Sequence, residues 1–324
     1  MNPIDAPTVA DLTEDQLLAR IFPLLPAGAA TRLGPGDDAA VVAAPDGRVV
    51  VSTDVLVEGR HFRRDWSTAQ DVGWRAAMQN LADIAAMGAR PTSLVVTLVA
   101  PSDLPVHWVT GLTRGLAAAC GTCGVGVVGG DLSGGDTVVV SVTVLGDLDG
   151  RGPVLRSGAR VGDTVAHAGV RGWSAAGLAL LGAGRSEVAP ALVRAYLRPD
   201  PPLAAGIAAS RAGATSMLDL SDGLLRDAGR LALASGVVLD LDLDAFGPDL
   251  GVLAEAAAAL GVRADQWVLA GGEDHGLLAT FGPGTVLPEP FRAVGHVAAP
   301  GPHAVLVDGQ VPRVASPGWD HFAR

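Results

Sequence analysis

Lysine is missing from the 324 residues altogether, and the 23 positive charges are all arginine. That absence excludes a Walker-type phosphate lysine, a Schiff-base nucleophile and a lysine general base. Cysteine is nearly as scarce: Cys120 and Cys123 are the only two, too few for a disulfide framework. No apolar run approaches the roughly 20 residues of a membrane-spanning helix, so no membrane partner is expected. The start, MNPIDAPTVADLTEDQ, is acidic and lacks the basic-then-apolar pattern of a secretory signal, which makes the cytoplasm the expected location. Positive charge is also outnumbered, 23 against 34 acidic residues for a net of −11. A nucleic-acid footprint needs clustered positive charge, so no nucleic-acid partner is expected either.

What is present is a globular composition, 49% hydrophobic and only 18% charged, on a chain long enough for two domains of about 150 residues each. Apolar spacing predicts helices over 11–22, 71–87 and 105–120, and strands at 94–99, 125–128 and 137–145. After Gly150 the stretch RGPVLRSGARVGD is dense in turn residues and reads as a crossing between domains 1–150 and 151–324. Beyond it, strands are expected at 164–168, 237–243 and 277–281. Helices are expected at 173–181, 202–212 and 224–235, the last capped from Ser221 or Asp222. The fold class is α/β in two domains.

Chemistry concentrates in aspartates that end strands or fill glycine-rich loops: Gly36-Asp37-Asp38, Ser52-Thr53-Asp54, Gly129-Gly130-Asp131 and Asp219-Leu220-Ser221-Asp222-Gly223. Each alone has a plain turn explanation, because Asp beside Gly is a common turn pair. Four together, beside Ser and Thr hydroxyls, supply the hard oxygen donors that magnesium takes. Asp83 lies inside a helical run, where a turn explanation fails and a buried carboxylate needs a partner; an outward, solvated position is the alternative. Asn80 is one turn earlier on the same face. Gly124–Gly129 formally matches the dinucleotide fingerprint, but a helix precedes it and the glycines run through a strand, so the match is rejected. Cys120-Gly-Thr-Cys123 has no second pair and reads as structural. His61 is positioned to contact a phosphate or substrate, or is an ordinary half-buried histidine. In Gly271-Gly272-Glu273-Asp274-His275, two glycines allow close backbone approach and adjacent acids put negative charge there, suited to a cationic group or metal, unless the segment is a tight turn. Trp319 near the end of the chain either covers a core or stacks on a ligand.

In this order, GPGDDAA, STDVLVEGRHF, NLADIAAMG, VGGD, LDLSDGL, GGEDH and GWDHF closely resemble the thiamine-monophosphate kinase family, within the ATP-binding superfamily that also holds aminoimidazole ribonucleotide synthetase. The likeness spans Leu33 to Phe322. It implies magnesium-dependent transfer of the ATP γ-phosphoryl to thiamine monophosphate, giving thiamine diphosphate and ADP. It further implies Asp37, Asp54, Asp83, Asp131, Asp219 and Asp222 as magnesium ligands, with Ser52 and Thr53 helping around Asp54. Gly130, Asp131, Arg156 and Ser221 would touch ATP, and His61, Glu273 and Trp319 would line the thiamine phosphate site. Family members can place a tyrosine against ATP in the helix near Thr113, whereas the only tyrosine here is Tyr196. The implied fold is synthetase-like. Its N-terminal domain binds ATP and metal and forms a homodimer through its sheet, with the ATP site between domains and subunits. A C-terminal α/β domain completes the substrate site.

The acceptor is a phosphate monoester, already an anion at neutral pH, so no general base is expected; metal ions, arginine and alignment carry the transfer. Two alternatives remain at this stage: a superfamily relative with another acceptor, and a non-catalytic sensor of thiamine phosphate or nucleotide.

Overall fold

The computed structural model describes residues 7–35 and 39–319. The chain divides into two compact units, Met1–Ile84 with Arg90–Gly150, and Ala85–Ala89 with Arg151–Arg324.

In the first unit, T-E-D-Q starts α1 (Glu14–Ile21) as a capping box, the Thr13 hydroxyl accepting from the Gln16 amide at 3.3 Å. β1 (Thr31–Leu33) and β2 (Val41–Val42) form a small antiparallel ribbon. Then come β3 (Val50–Val57), α2 (Ala69–Ala86), β4 (Arg90–Ala100), α3 (Val106–Gly121), β5 (Gly126–Gly134) and β6 (Val139–Asp147). The sheet order is β3-β6-β4-β5, with β4 and β5 parallel across α3 and the other pairs antiparallel. Alternation decides which face is covered. Val140, Val142 and Val144 are buried, while Val51, Thr53 and Val55 on the opposite face of β3 are exposed. Glycines let α2 and α3 touch backbone to backbone: a Cβ at Gly73 would lie 2.0 Å from the Leu112 carbonyl, and one at Gly115 would lie 2.2 Å from that of Gln70.

The second unit holds β7 (Thr164–Ala168), α4 (Trp173–Gly182), α5 (Pro190–Leu197), α6 (Leu203–Arg211), β8 (Ala214–Leu220) and α7 (Leu224–Ser235). It continues with β9 (Val238–Leu241), α8 (Gly247–Leu260), α9 (Ala264–Ala270), β10 (Gly276–Phe281), β11 (Arg292–Ala298) and β12 (Val305–Val307). Its sheet order is β12-β9-β11-β7-β10-β8, antiparallel except for β12 beside β9. Both faces are covered, so β10 is buried at every residue. Leu278 joins the core of Leu180, Leu192, Leu231, Phe246 and Leu253, and Leu277 joins that of Ala85, Ala205, Ala209 and Met217. Among the described residues no single helix is long and apolar enough to cross a membrane.

Candidate functional site

In the first unit, β3 and α2 bring several of the candidate residues together. Ser52 and Asp54 share the covered face of β3 by alternation. The Ser52 hydroxyl donates to Asp83 Oδ2 at 2.7 Å, and the Asp54 amide donates to Asn80 Oδ1 at 3.0 Å, while Asn80 Nδ2 donates to the Ala76 carbonyl at 2.8 Å. Asp83 therefore faces the strand and has the partner its helical position demanded. Thr53 departs from expectation: its side chain points to the other face, donating to the Val142 carbonyl at 2.9 Å, so its hydroxyl does not join Asp54. His61 sits in the turn after β3, where its Nδ1 accepts from the Val57 amide at 3.0 Å. That bond places the proton of the neutral ring on Nε2.

Asp131 also departs from a single cluster. It lies on β5, the opposite sheet edge from β3, roughly 14 Å away across three strand spacings. There Gly130 and Asp131 line a cavity of about 940 Å³ with Leu18, Phe22, Leu112 and Leu116. A Cβ at Gly130 would meet the Val96 carbonyl at 1.9 Å, so the β4–β5 pairing itself requires glycine. Thr113 stands on this wall, its hydroxyl given to the Val109 carbonyl at 2.9 Å, and Tyr196 is a buried residue of α5 in the second unit. Asp37 lies outside the described residues. Cys120 and Cys123 are free thiols, both pushed up by burial, which suits a structural pair.

In the second unit, β8 ends at Leu220, one residue past Asp219, and two segments converge on that strand end and the loop that follows. The Glu273 amide donates to the Ser221 carbonyl at 2.8 Å, the His275 amide to that of Leu220 at 3.1 Å, and the Trp319 amide to that of Asp222 at 2.8 Å. Asp219, Ser221, Asp222, Glu273 and Trp319, far apart in sequence, thus share one place. Trp319 presents an exposed indole there. Arg156 lies in an exposed loop whose carbonyl accepts from Ser235 at 3.0 Å. His275 stands between acids, Nδ1 at 3.3 Å from Asp219 and Nε2 at 3.7 Å from Glu273. Burial disfavours its charged form, but these carboxylates outweigh that and hold its pKa up at about 10.

Two expectations fail in this unit. Asp274 does not face a ligand: it is buried, accepts from the Gly172 and Ser174 amides at 2.6 and 2.8 Å, and pairs with the fully buried Arg171 at 3.2 Å. It anchors the start of α4. Neither Ser221 nor Asp222 caps α7; Asp227 does that work, its Oδ2 accepting from the Asp222 and Gly223 amides at 2.9 and 3.1 Å. A carboxylate in the first turn after S-D-G was the available signal for it.

Residues 36–148 match the family model of the AIR synthase related protein, N-terminal domain, and with the two-unit fold they define an AIR synthase-like protein. The thiamine-monophosphate kinase of Mycobacterium tuberculosis is 49% identical over 319 residues, 98% of this chain and 94% of that protein. That of Corynebacterium glutamicum is 43% identical over 327 residues, covering 98% and 96%. A solved structure of AaThiL complexed with AMPPCP and TMP aligns with a TM-score of 0.77 at 34% identity, covering 88% of this chain and 91% of that one. The chain belongs to the thiamine-monophosphate kinase family.

Proposed function

We infer that the protein transfers the γ-phosphoryl of ATP to thiamine monophosphate, giving thiamine diphosphate and ADP. The observation that carries this reading is the convergence of Asp219, Asp222, Glu273 and Trp319 on one loop, in a chain 49% identical to a thiamine-monophosphate kinase.

Magnesium fits the donors. Among the described residues no three His, Cys, Asp or Glu side chains gather into a ready metal cage. Magnesium needs none, since one or two carboxylates hold it while water and substrate phosphates complete its octahedron. Ser52, Asp54 and Asp83 in the first unit and Asp219 and Asp222 in the second would hold such ions, with Asp37 and Asp131 as further candidates. When bound, magnesium neutralises the phosphates and stabilises the charge spread over the transferred group.

The chain's own residues then bind and align. The acceptor phosphate ionises fully near pH 6, so no side chain has to take a proton from it. Gly130 brings backbone to ATP without a side chain in the way, and Arg156 and Ser221 would contact its phosphates. His61 Nε2–H is a donor for the acceptor phosphate. The Glu273 carboxylate would face the cationic thiazolium, and Trp319 would stack on a ring of thiamine. The uncovered face of the first sheet, with Val51 and Val55 exposed, supports a homodimer. We place the reaction in the cytoplasm, where ATP is supplied.

Phosphorus NMR of the purified protein with ATP, magnesium and thiamine monophosphate, beside thiamine and acceptor-free controls, tests the reading. Thiamine diphosphate should form from the monophosphate alone. Nucleotide binding without that product would overturn it.

A further inference from the structure

The loop that carries Asp222 brings its own cation. Arg230, in the second turn of α7, has Nη1 at 2.7 Å from Asp222 Oδ2 and at 2.7 Å from Asp227 Oδ1. The two carboxylates differ in freedom. Asp227 is 1% exposed and already holds the Asp222 and Gly223 amides through its other oxygen, so it cannot turn to a metal without releasing the loop. The Asp222 side chain is 16% exposed and that of Arg230 is 38% exposed, so the arginine can withdraw from Asp222 toward solvent while keeping Asp227.

We propose that Arg230 is the internal counter-cation of Asp222, occupying its Oδ2 until magnesium arrives and then yielding that oxygen. The proposal rests on the reading of Asp222 as a magnesium ligand. A magnesium ion bound to Asp222 would stand within a few ångströms of the guanidinium already at its Oδ2, and the two cations repel each other there, so metal binding and the ion pair oppose one another. The same arginine offsets the repulsion between Asp222 and Asp227 when no metal is present. Arg230 is thus a positioning residue whose charge sets how much magnesium the site needs.

The test is a thermal melt of the full chain against magnesium chloride, without nucleotide and at ionic strength held constant with sodium chloride, for wild type, Arg230→Gln and Arg230→Lys. Arg230→Gln should melt lower than wild type without magnesium, and its half-saturating magnesium concentration should fall by about three- to fivefold, the range of a partly exposed ion pair. Arg230→Lys, which keeps the charge, should follow wild type. An unchanged or raised half-saturation in Arg230→Gln would overturn the competition, as would a wild-type melt that does not respond to magnesium. Thiamine diphosphate formation by the wild type, followed in parallel, reports separately on the activity, because the melt requires no acceptor.

Discussion

Asp54 and Asp222 stand on different elements with different neighbours, yet each is a short carboxylate fixed by its backbone, the one through Asn80 and the other through Trp319. Replacing either with asparagine keeps the shape and removes the charge. Turnover should drop by about 10²- to 10³-fold or more, the scale of losing one preorganised electrostatic contact, with circular dichroism unchanged; near-normal turnover at saturating magnesium would remove that residue from the ligand set. Trp319→Ala should raise the acceptor KM about tenfold through lost stacking, with the KM for ATP unmoved. His167 makes a different prediction. It is fully buried, and burial first, then Arg171 and Arg292, hold its pKa well below the usual histidine range. The unfolded chain takes up this proton below about pH 6.5 and the folded one does not. The His167 contribution is therefore whole above pH 6.5 and drains away as the pH falls. His167→Leu should flatten that acid limb in urea unfolding between pH 5 and 8. It should not weaken the protein at pH 8, since neither ring nitrogen has a hydrogen-bond partner to lose.

At the scale of elements, the glycine contact between α2 and α3 is the least forgiving. Gly115→Ala would drive a methyl group to 2.2 Å from the Gln70 carbonyl and force the helices apart. A loss of about 1–3 kcal/mol is expected, seen as a lower melting temperature, with a reshaped 940 Å³ cavity because α3 also forms its wall. The sequence shows these helices plainly, since their apolar spacing is long and regular, and β6 likewise alternates without a break. It hides β8, whose Thr215 and Ser216 look like loop residues but hydrogen-bond to Thr280 across the sheet at 2.6 and 2.7 Å. α8 is obscured for the opposite reason: its exposed face carries Gly251, Val252, Ala254 and Ala258 with little charge, so no sharp polar stripe marks it, and α9 is too short to show a period. α5, β11 and β12 are short or interrupted by glycine. In the site, the motifs name Asp219, Asp222, Glu273 and Trp319 because special backbone leaves a visible signature. Alternation alone turns Thr53 away from Asp54, and nothing in GGEDH distinguishes the inward Asp274 from the outward Glu273.

For the whole molecule, the uncovered valine face predicts self-association. Val55→Asp, at a position already 44% exposed, should leave the first unit folded and shift the protein to monomer in sedimentation equilibrium; a wild type that is monomeric at every concentration would remove the homodimer. The second unit does not begin at Arg151 alone. Residues 85–89 belong to it, and Gly206 of α6 packs so closely on Ala85 that a Cβ there would lie 1.9 Å from its carbonyl. No shift in composition marks those five residues. They leave the ribosome more than sixty residues before the rest of their unit, so the nascent chain holds the end of α2 in waiting while the first unit's remaining strands are made. Cutting the gene at the visible boundary would give two fragments, one carrying an orphaned helix end and the other lacking the piece its core closes on.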